Sequence, residues 1–270
     1  MAIHPTAVIE DGARLAANVE VGPYCLVGRS VVLGDGVKLA SHVVIGGNTE
    51  IGPRTQIYSH AVLGGDAQMR TRKPSAERLV IGADNVIREN VTISCGSHAG
   101  RGTTEIGDRN YFMAGSHIGH DCVVANNVTL ANATQLGGHV QVGDGVNMGG
   151  NSAAQQFGRI GRYAFISGLS GVTTDVIPYG LAIGLQVRLG GLNLVGLRRL
   201  GIPRANIHAL RAAFRAIFLD WRGSLQENAK RAQGQWGNVP EVAEVIAFIL
   251  ADAKRPICPA RRKGVDRDEE

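Results

Sequence analysis

The stretch LGDGVKLASHVVIGGNTEIGPRTQI, Leu33 to Ile57, decides the fold because an aliphatic residue occupies every sixth position. The same spacing extends back to Ile3 and forward to Leu63. If roughly half of all residues were apolar, eleven such hits in a row would occur by chance about once in two thousand trials. A strict period of six therefore indicates a structural repeat.

The other positions of the six-residue unit are also restricted. Glycine often follows the aliphatic residue, and the fifth position is usually small, as at Ala7, Cys25 and Ala61. A unit this short cannot hold a helix pair or a propeller blade, but it suits a short strand and a tight turn. We therefore predict a parallel β-helix with the aliphatic side chains inside. The 37 glycines and the low aromatic content of 5% agree with many turns around an aliphatic core.

The repeat predicts one long domain, residues 1–188, with two interruptions. Its phase resumes at Ile81, slips by one residue before Ile106 and then runs to Val172. The polar segments 65–79 and 97–105 are predicted to be excursions from the coil. Loops that leave a rigid scaffold often carry function.

After residue 188 the pattern changes to helical spacing, which predicts a small α-helical domain over residues 189–254. Ser224 and Glu227 fit a capping box, and Pro240 suits the first position of another helix. Residues 255–270 carry many charges and are predicted to form a disordered tail.

Composition bounds the partners and the compartment. The net charge of +5 favours acidic partners. No run of Lys and Arg is interleaved with aromatic residues, so nucleic acid is not an expected partner. The four cysteines form no Cys-x-x-Cys pair, which indicates a reducing compartment. We see neither a signal-peptide pattern nor an apolar run of membrane-spanning length, and therefore expect a cytoplasmic protein without a transmembrane segment.

Three motifs and the order of the parts carry a resemblance to a known family. HIGHDC at His117–Cys122, LGGHVQVGD at Leu136–Asp144 and GLNLVGLRRLGIPR at Gly191–Arg204 resemble bacterial UDP-N-acetylglucosamine O-acyltransferases, which are hexapeptide-repeat acyltransferases. The resemblance spans nearly the whole chain. It implies an all-β left-handed parallel β-helix with eighteen residues per coil, followed by the helical domain. It also implies transfer of a 3-hydroxyacyl chain from acyl carrier protein to the 3-hydroxyl of the sugar, the first step of lipid A biosynthesis.

The same resemblance assigns the catalytic residues. His120 matches the general base, because an imidazole can take the proton of a sugar hydroxyl as that oxygen attacks the thioester. The adjacent Asp121 is expected to orient the ring. Gly138 lies eighteen positions after His120, hence one coil along and roughly 4.8 Å away. It matches the family's oxyanion donor, and Asp121 should stack under His139 in the same way.

Seven further positions match residues that contact substrate in the family: His117, His139, Gln155, Gln156, Gly168, Asn193 and Arg199. Gln155 stands where the family usually has histidine. Gly168 matches the position that sets acyl length. An arginine such as Arg199 suits a diphosphate, because its guanidinium donates two parallel hydrogen bonds.

The implied reaction also defines the partners. The acyl group arrives on the phosphopantetheine of acyl carrier protein, so no cofactor or metal of the enzyme's own is expected. Arg204, Arg211 and Arg215 share one helical face that suits this acidic carrier, although an ordinary solvated face has the same pattern. The family is homotrimeric, so adjacent chains should complete each site.

Departures from the family keep other functions open. Polar groups of the family are missing at four places: Gln155, Ser94–Ser97, Ala67–Met69 with Thr71, and Val195. One alternative is therefore a 3-amino UDP sugar as acceptor, which would give an amide. Three further alternatives are an acetyl-CoA-dependent acetyltransferase, a zinc γ-carbonic anhydrase that uses His117, His120 and His139, and a non-catalytic scaffold.

Overall fold

The computed structural model describes residues 2–71, 76–220 and 222–261. Its repeats form short strands that stack into three parallel sheets, here named faces A, B and C, as the six-residue period predicts. Face A contains β1 (Ala2–Ile3), β4 (Glu20–Val21), β7 (Lys38–Leu39), β10 (Gln56–Ile57), β13 (Val86–Ile87), β16 (Tyr111–Phe112), β19 (Thr129–Leu130), β22 (Asn147–Met148), β25 (Phe165–Ile166), β27 (Gly180–Ile183) and β28 (Arg188–Leu192). Face B contains β2 (Val8–Ile9), β5 (Leu26–Val27), β8 (Val44–Ile45), β11 (Val62–Gly65), β14 (Thr92–Ser94), β17 (His117–Ile118), β20 (Gln135–Leu136), β23 (Ala153–Ala154) and β26 (Gly171–Val172). Face C contains β3 (Arg14–Leu15), β6 (Val32–Leu33), β9 (Asn48–Ile51), β12 (Arg78–Ile81), β15 (Thr103–Ile106), β18 (Val123–Val124), β21 (Gln141–Val142) and β24 (Arg159–Ile160).

The inward aliphatic residues form the core of the β-helix. Leu33, Ile45 and Ile57 are at most 1% exposed, and the small fifth-position residue Cys122 is fully buried at a corner. Each such Leu or Ile side chain contributes about 1.5–3 kcal/mol when it leaves water. Because every coil repeats the pattern, the core is continuous along the stack.

Strand pairing follows the eighteen-residue coil. His117 pairs with Gln135 and Ile118 with Leu136, one coil later. Stacking by eighteen therefore places equivalent corner residues directly above one another, as predicted for the candidate site.

The corner between faces B and C, here named the B–C corner, has a left-handed backbone residue in three successive coils. Asp121, His139 and Phe157 have φ values of 61°, 63° and 66°. Residues with a Cβ adopt this conformation at a cost of roughly 1–2 kcal/mol. The backbone thus aims three side chains outward from one corner.

Both excursions leave the coil at the B–C corner, just before the coils that carry these residues. Leu79 pairs with Thr49 on one side and with Thr104 on the other. These offsets are thirty and twenty-five residues, where an uninterrupted coil takes eighteen. The predicted bounds need small corrections: β12 begins at Arg78 and β15 at Thr103, so the second excursion covers residues 95–102. Residues 72–75 of the first lie outside the described residues.

The predicted domain boundary at residue 188 falls inside the last strand of face A. β28 runs antiparallel to β27, so the sheet extends to Leu192. The α-helices that follow are α1 (Leu194–Arg199), α2 (Arg204–Phe218), α3 (Leu225–Trp236) and α4 (Pro240–Leu250). Ser224 and Glu227 form the predicted capping box, and Pro240 occupies the first turn of α4.

The segment after α4 returns to the β-helix. The Cys258 N–H donates to the carbonyl of Asp175 at 2.8 Å, and the Leu189 N–H donates to the carbonyl of Pro259 at 2.8 Å. Cys258 itself is fully buried. The prediction of a disordered tail from Arg255 is therefore wrong for residues 255–261, because backbone pairing outweighs the local charge; residues 262–270 lie outside the described part of the chain.

Candidate active site

The candidate catalytic residues lie at the B–C corner. His120 and Asp121 occupy the turn between β17 and β18, and Gly138 and His139 occupy the equivalent turn one coil later. The His139 N–H donates to the carbonyl of His120 at 2.9 Å, which fixes the two turns against each other. The stack predicted from the eighteen-residue coil is present.

His120 and Asp121 form a buried pair. Nδ1 of His120 lies 2.7 Å from Oδ2 of Asp121, and only 8% of the histidine is exposed. A carboxylate at Nδ1 places the proton on that nitrogen and leaves Nε2 as the basic atom. The pair therefore has the geometry of an oriented general base.

The second excursion holds the Asp121 carboxylate from its other side. It accepts hydrogen bonds from the Ser97 N–H at 3.1 Å, the Ser97 hydroxyl at 2.6 Å and the Gly102 N–H at 2.9 Å. Burial alone would raise the pKa of Asp121, but the hydrogen bonds from Ser97 and His120 hold that pKa below its usual value. Asp121 thus remains an anion fixed in one orientation.

Gly138 lies against the ring of His120. A Cβ on residue 138 would sit 2.6 Å from Cε1 and 2.7 Å from Nε2 of the histidine. The N–H groups of Gly137 and His139 both donate at 2.9 Å, whereas the Gly138 N–H donates to no group in the described ranges. A free backbone donor beside the basic nitrogen is what an oxyanion requires.

His139 and Phe157 extend the site by one more coil. The two rings stack with centroids 4.4 Å apart, and His139 meets His120 edge to face at 5.0 Å. Burial and the nearby cation of Lys254 lower the pKa of His139, against the raising effect of Asp121. Next to Phe157, the backbone carbonyl of Gln156 accepts a hydrogen bond from Arg255 Nε at 3.0 Å. The Gln156 side chain is exposed.

His117 and Gln155 flank the column on the side of face B. Nδ1 of His117 lies 2.7 Å from the hydroxyl of Thr92, its neighbour in the preceding coil. Burial lowers the pKa of His117. Gln155 follows β23 and is exposed. Both side chains can therefore meet a ligand that lies over His120 from face B.

Three predicted residues are not brought to this corner. Gly168 lies in the turn from face A to face B, which is a different corner. The Asn193 side chain caps α1 through Gly196 and donates to the carbonyl of Tyr163 at 3.0 Å, in the turn from face C to face A. Arg199 is exposed at the end of α1. Within one chain these residues do not meet His120.

The structure also bears on the metal alternative. Among the residues that the structure describes, the group that could hold an ion consists of His120, Asp121 and His139, with ligand atoms within 4.8 Å of one another. It does not include the His117 of the zinc alternative. Two ligands of one tetrahedral zinc, each about 2.0–2.2 Å from the ion, lie more than about 3.2 Å apart. The Nδ1–Oδ2 distance of 2.7 Å is that of a hydrogen bond. This geometry favours a proton between His120 Nδ1 and Asp121 Oδ2 over a zinc ion bound by both atoms.

Sequence reasoning missed several groups of the site. Phe157 could have been predicted, because it stands eighteen positions after His139. The Ser97 and Gly102 donors could not have been predicted, because they belong to an excursion that does not follow the repeat. Lys254 lies with its Nζ 4.0 Å from the centre of the Phe157 ring, and the repeat does not relate it to Phe157, because it stands at the end of the predicted helical domain.

A β-helix of six-residue repeats with a buried His–Asp pair and a free N–H at one corner defines the class of hexapeptide-repeat acyltransferases. Residues 30–65 match the bacterial transferase hexapeptide family, and residues 175–258 match the family described as UDP N-acetylglucosamine O-acyltransferase, domain 2. The chain belongs to the acyl-[acyl-carrier-protein]–UDP-N-acetylglucosamine O-acyltransferase family.

Similar proteins support this assignment over the whole length. The O-acyltransferase of Rhizobium johnstonii is 44% identical over 96% of this chain and 95% of its own length. That of Sinorhizobium fredii is 45% identical over 97% of each chain. Among solved structures, LpxA from Acinetobacter baumannii is 37% identical with a TM-score of 0.92 and covers 96% of this chain and 100% of its own. The predicted fold class, a left-handed parallel β-helix followed by a small helical domain, is confirmed.

No helix in the described ranges has both the length and the apolar character that crossing a bilayer demands.

Proposed function

We propose that this enzyme transfers a 3-hydroxyacyl chain from acyl carrier protein to the 3-hydroxyl of UDP-N-acetylglucosamine, the first step of lipid A biosynthesis. The observation that carries the proposal is the stack of His120, Asp121 and Gly138 at the B–C corner. Relatives that are 44–45% identical over nearly their full length carry this acceptor and this type of donor in their names.

The residues divide the chemistry between them. Nε2 of His120 takes the proton of the sugar hydroxyl while that oxygen attacks the thioester carbonyl. The Gly138 N–H donates to the oxyanion that forms, and Asp121 stabilises the imidazolium. When the tetrahedral intermediate collapses, the C–S bond breaks and the imidazolium returns its proton to the phosphopantetheine thiolate. The products are the sugar ester and the free thiol of the carrier, so the reaction is balanced. It needs no cofactor of the enzyme's own.

The carrier-protein partner is supported by the surface of α2. Arg204, Arg211 and Arg215 are all exposed on this helix, with His208 on the same side. A basic patch accelerates encounter with an acidic protein through long-range attraction. We assign this surface, the α2 basic face, to the carrier protein.

A homotrimer is supported by the surface of face B. Its outward positions in the early coils are apolar, with Val8 at 56%, Leu26 at 38% and Val62 at 39% exposure. The matching positions of face A carry the ion pair Lys38–Glu20 at 2.9 Å. An apolar stripe on one face suits contact between copies. Such contact would also bring Gly168, which lies at a corner bordering face B, toward the column of another copy.

Two of the alternatives differ from this proposal in donor or acceptor. A 3-amino sugar acceptor is not favoured, because the matched relatives are named O-acyltransferases. An acetyl-CoA donor is not favoured either, because those names specify acyl carrier protein. The four free, buried cysteines suit the reducing cytoplasm.

A donor and acceptor exchange tests the proposal. The full-length protein is incubated with 3-hydroxyacyl carrier protein and UDP-N-acetylglucosamine, and the acylated sugar is quantified by mass spectrometry. We expect turnover that vanishes in His120→Ala. Faster acylation of the 3-amino sugar, or turnover with acetyl-CoA but not with the carrier protein, would overturn it.

A further inference from the structure

A line of three side chains leads from the protein surface to the catalytic pair. The Lys254 ammonium lies 4.0 Å from the centre of the Phe157 ring. The Phe157 ring stacks on His139 with an interplanar angle of 9°, and His139 stands at 88° to His120. This arrangement covers the outer face of His139 with an aromatic ring and a cation.

The segment that supplies Lys254 is anchored on both sides of it. Arg255 Nε donates to the carbonyl of Gln156 at 3.0 Å, next to Phe157. Beyond it, the Asp175 N–H donates to the carbonyl of Pro256 and the Cys258 N–H donates to the carbonyl of Asp175, both at 2.8 Å. The Asp175 carboxylate binds Arg159 Nε at 2.6 Å, and Arg159 donates to the carbonyl of Phe248 in α4. Lys254 is therefore held over Phe157 by both the β-helix and the helical domain.

His139 and His120 face the same carboxylate oxygen. Oδ2 of Asp121 lies 2.7 Å from His120 Nδ1 and 3.8 Å from His139 Nε2. A protonated His139 would attract this oxygen and weaken the support that Asp121 gives to the His120 imidazolium. The site thus works best when His139 carries no charge.

We propose, on the basis of the proposed function, that Phe157 and Lys254 are positioning residues which keep His139 neutral and edge-on to His120, so that Asp121 serves His120 alone. Neither residue touches the reacting atoms, and both act through His139. Phe157 acts through its ring stack on His139, and Lys254 acts through its fixed positive charge.

The charges around His139 agree with this role. His120 and Lys254 disfavour a proton on His139, and Asp121 favours one. Arg101 and Asp252 line the same cavity as His139 and Phe157, and Arg101 is paired with Glu105 at 2.7 Å. Burial is the largest cause of the lowered pKa of His139, and the Phe157 stack contributes part of that burial.

The test uses the full-length protein with ¹³C-labelled histidine. The variants are Lys254→Met, which removes the charge but keeps the apolar length, and Phe157→Leu, which removes the ring. The His139 ring is titrated by NMR without substrate, and kcat/KM is measured against pH. We expect the His139 titration to move to higher pH in both variants. On the acid limb near pH 6, kcat/KM should fall about threefold, with less than about twofold change near pH 8.5.

Controls separate this proposal from a loss of fold or of function. Lys254→Arg keeps the cation and should restore the wild-type profile, while Lys230→Met removes an exposed lysine of α3. Thermal unfolding checks that Phe157→Leu is folded. An unchanged His139 titration in Lys254→Met, or equal losses of activity at all pH values, would overturn the proposal. Inactivity of the wild type with the tested donor would instead contradict the proposed function, since the NMR titration needs no turnover.

Discussion

The ring of His120 lies so close to the Cα of Gly138 that a Cβ on residue 138 would sit 2.6 Å from its Cε1 atom. A methyl group there must push the His120 ring away from Asp121 or move the turn that contains residue 138 out of its coil. Gly138→Ala is therefore expected to reduce kcat by about 10²-fold or more, since both the base and the oxyanion donor move. Steady-state kinetics with 3-hydroxyacyl carrier protein measures this loss.

The matched control is Gly234→Ala. Gly234 lies inside α3 and has no atom within 4 Å of an added Cβ, so alanine should stabilise the helix by up to about 1 kcal/mol and leave turnover unchanged. Wild-type turnover by Gly138→Ala would show that the base does not depend on this contact.

The Asp121 carboxylate is expected to be required for the orientation of His120. Asp121→Asn removes the negative charge that stabilises the imidazolium and allows the ring to flip. We expect kcat to fall by about 10²-fold, with a smaller change in KM, because the interaction strengthens in the transition state. A variant that loses only substrate affinity would assign Asp121 to binding.

The same carboxylate makes stability depend on pH. Hydrogen bonds from Ser97 and His120 outweigh burial and lower the pKa of Asp121 in the folded protein. A lowered folded pKa contributes stability above the unfolded value of about 3.9, and this contribution is lost as the pH falls through the folded pKa. Thermal unfolding of wild type and Asp121→Asn should therefore differ at pH 7 and converge toward pH 3. A constant difference across this range would show that the carboxylate is not held as an anion.

The α2 basic face is expected to govern the encounter with acyl carrier protein. Reversal of charge in Arg211→Glu together with Arg215→Glu should raise KM for the carrier about tenfold at low salt and leave kcat nearly unchanged. Because exposed charges are screened, the difference should shrink at high salt. Lys230→Met, in α3, is the control for a lost surface cation. A salt-independent defect would point to misfolding of the helix instead.

The repeat made much of this site predictable. A period of six defined the inward residues, and a coil of eighteen placed Gly138 beside His120 and His139 beside Asp121. These predictions succeeded because strand pairing in a β-helix converts sequence spacing directly into spatial neighbours.

What the sequence did not predict has a physical reason in each case. The Ser97 and Gly102 donors lie in an excursion, where strand register does not relate a residue's position in the sequence to its position in space. Lys254 reaches Phe157 across almost one hundred residues of chain, from the end of the predicted helical domain, and the segment after it returns to the β-helix although its charges predicted a disordered tail. The cap that the Asn193 side chain makes on α1 was also not predicted, because the resemblance pointed only to a substrate contact at this position.

The apolar stripe on face B is expected to hold copies of the chain together. Val62→Glu introduces a carboxylate at a position where contact between copies would bury it without a cation, which is costly. Sedimentation should then give the monomer mass of 28.5 kDa in place of a trimer. Activity should fall with it, because in the proposed trimer Gly168 of a neighbouring copy completes the column. Gln56→Glu adds the same charge to an exposed position of face A in the preceding strand, and it should remain trimeric and active. A Val62→Glu variant that stays trimeric would place the contact between copies on another face, and an active monomer would show that one chain carries the whole site.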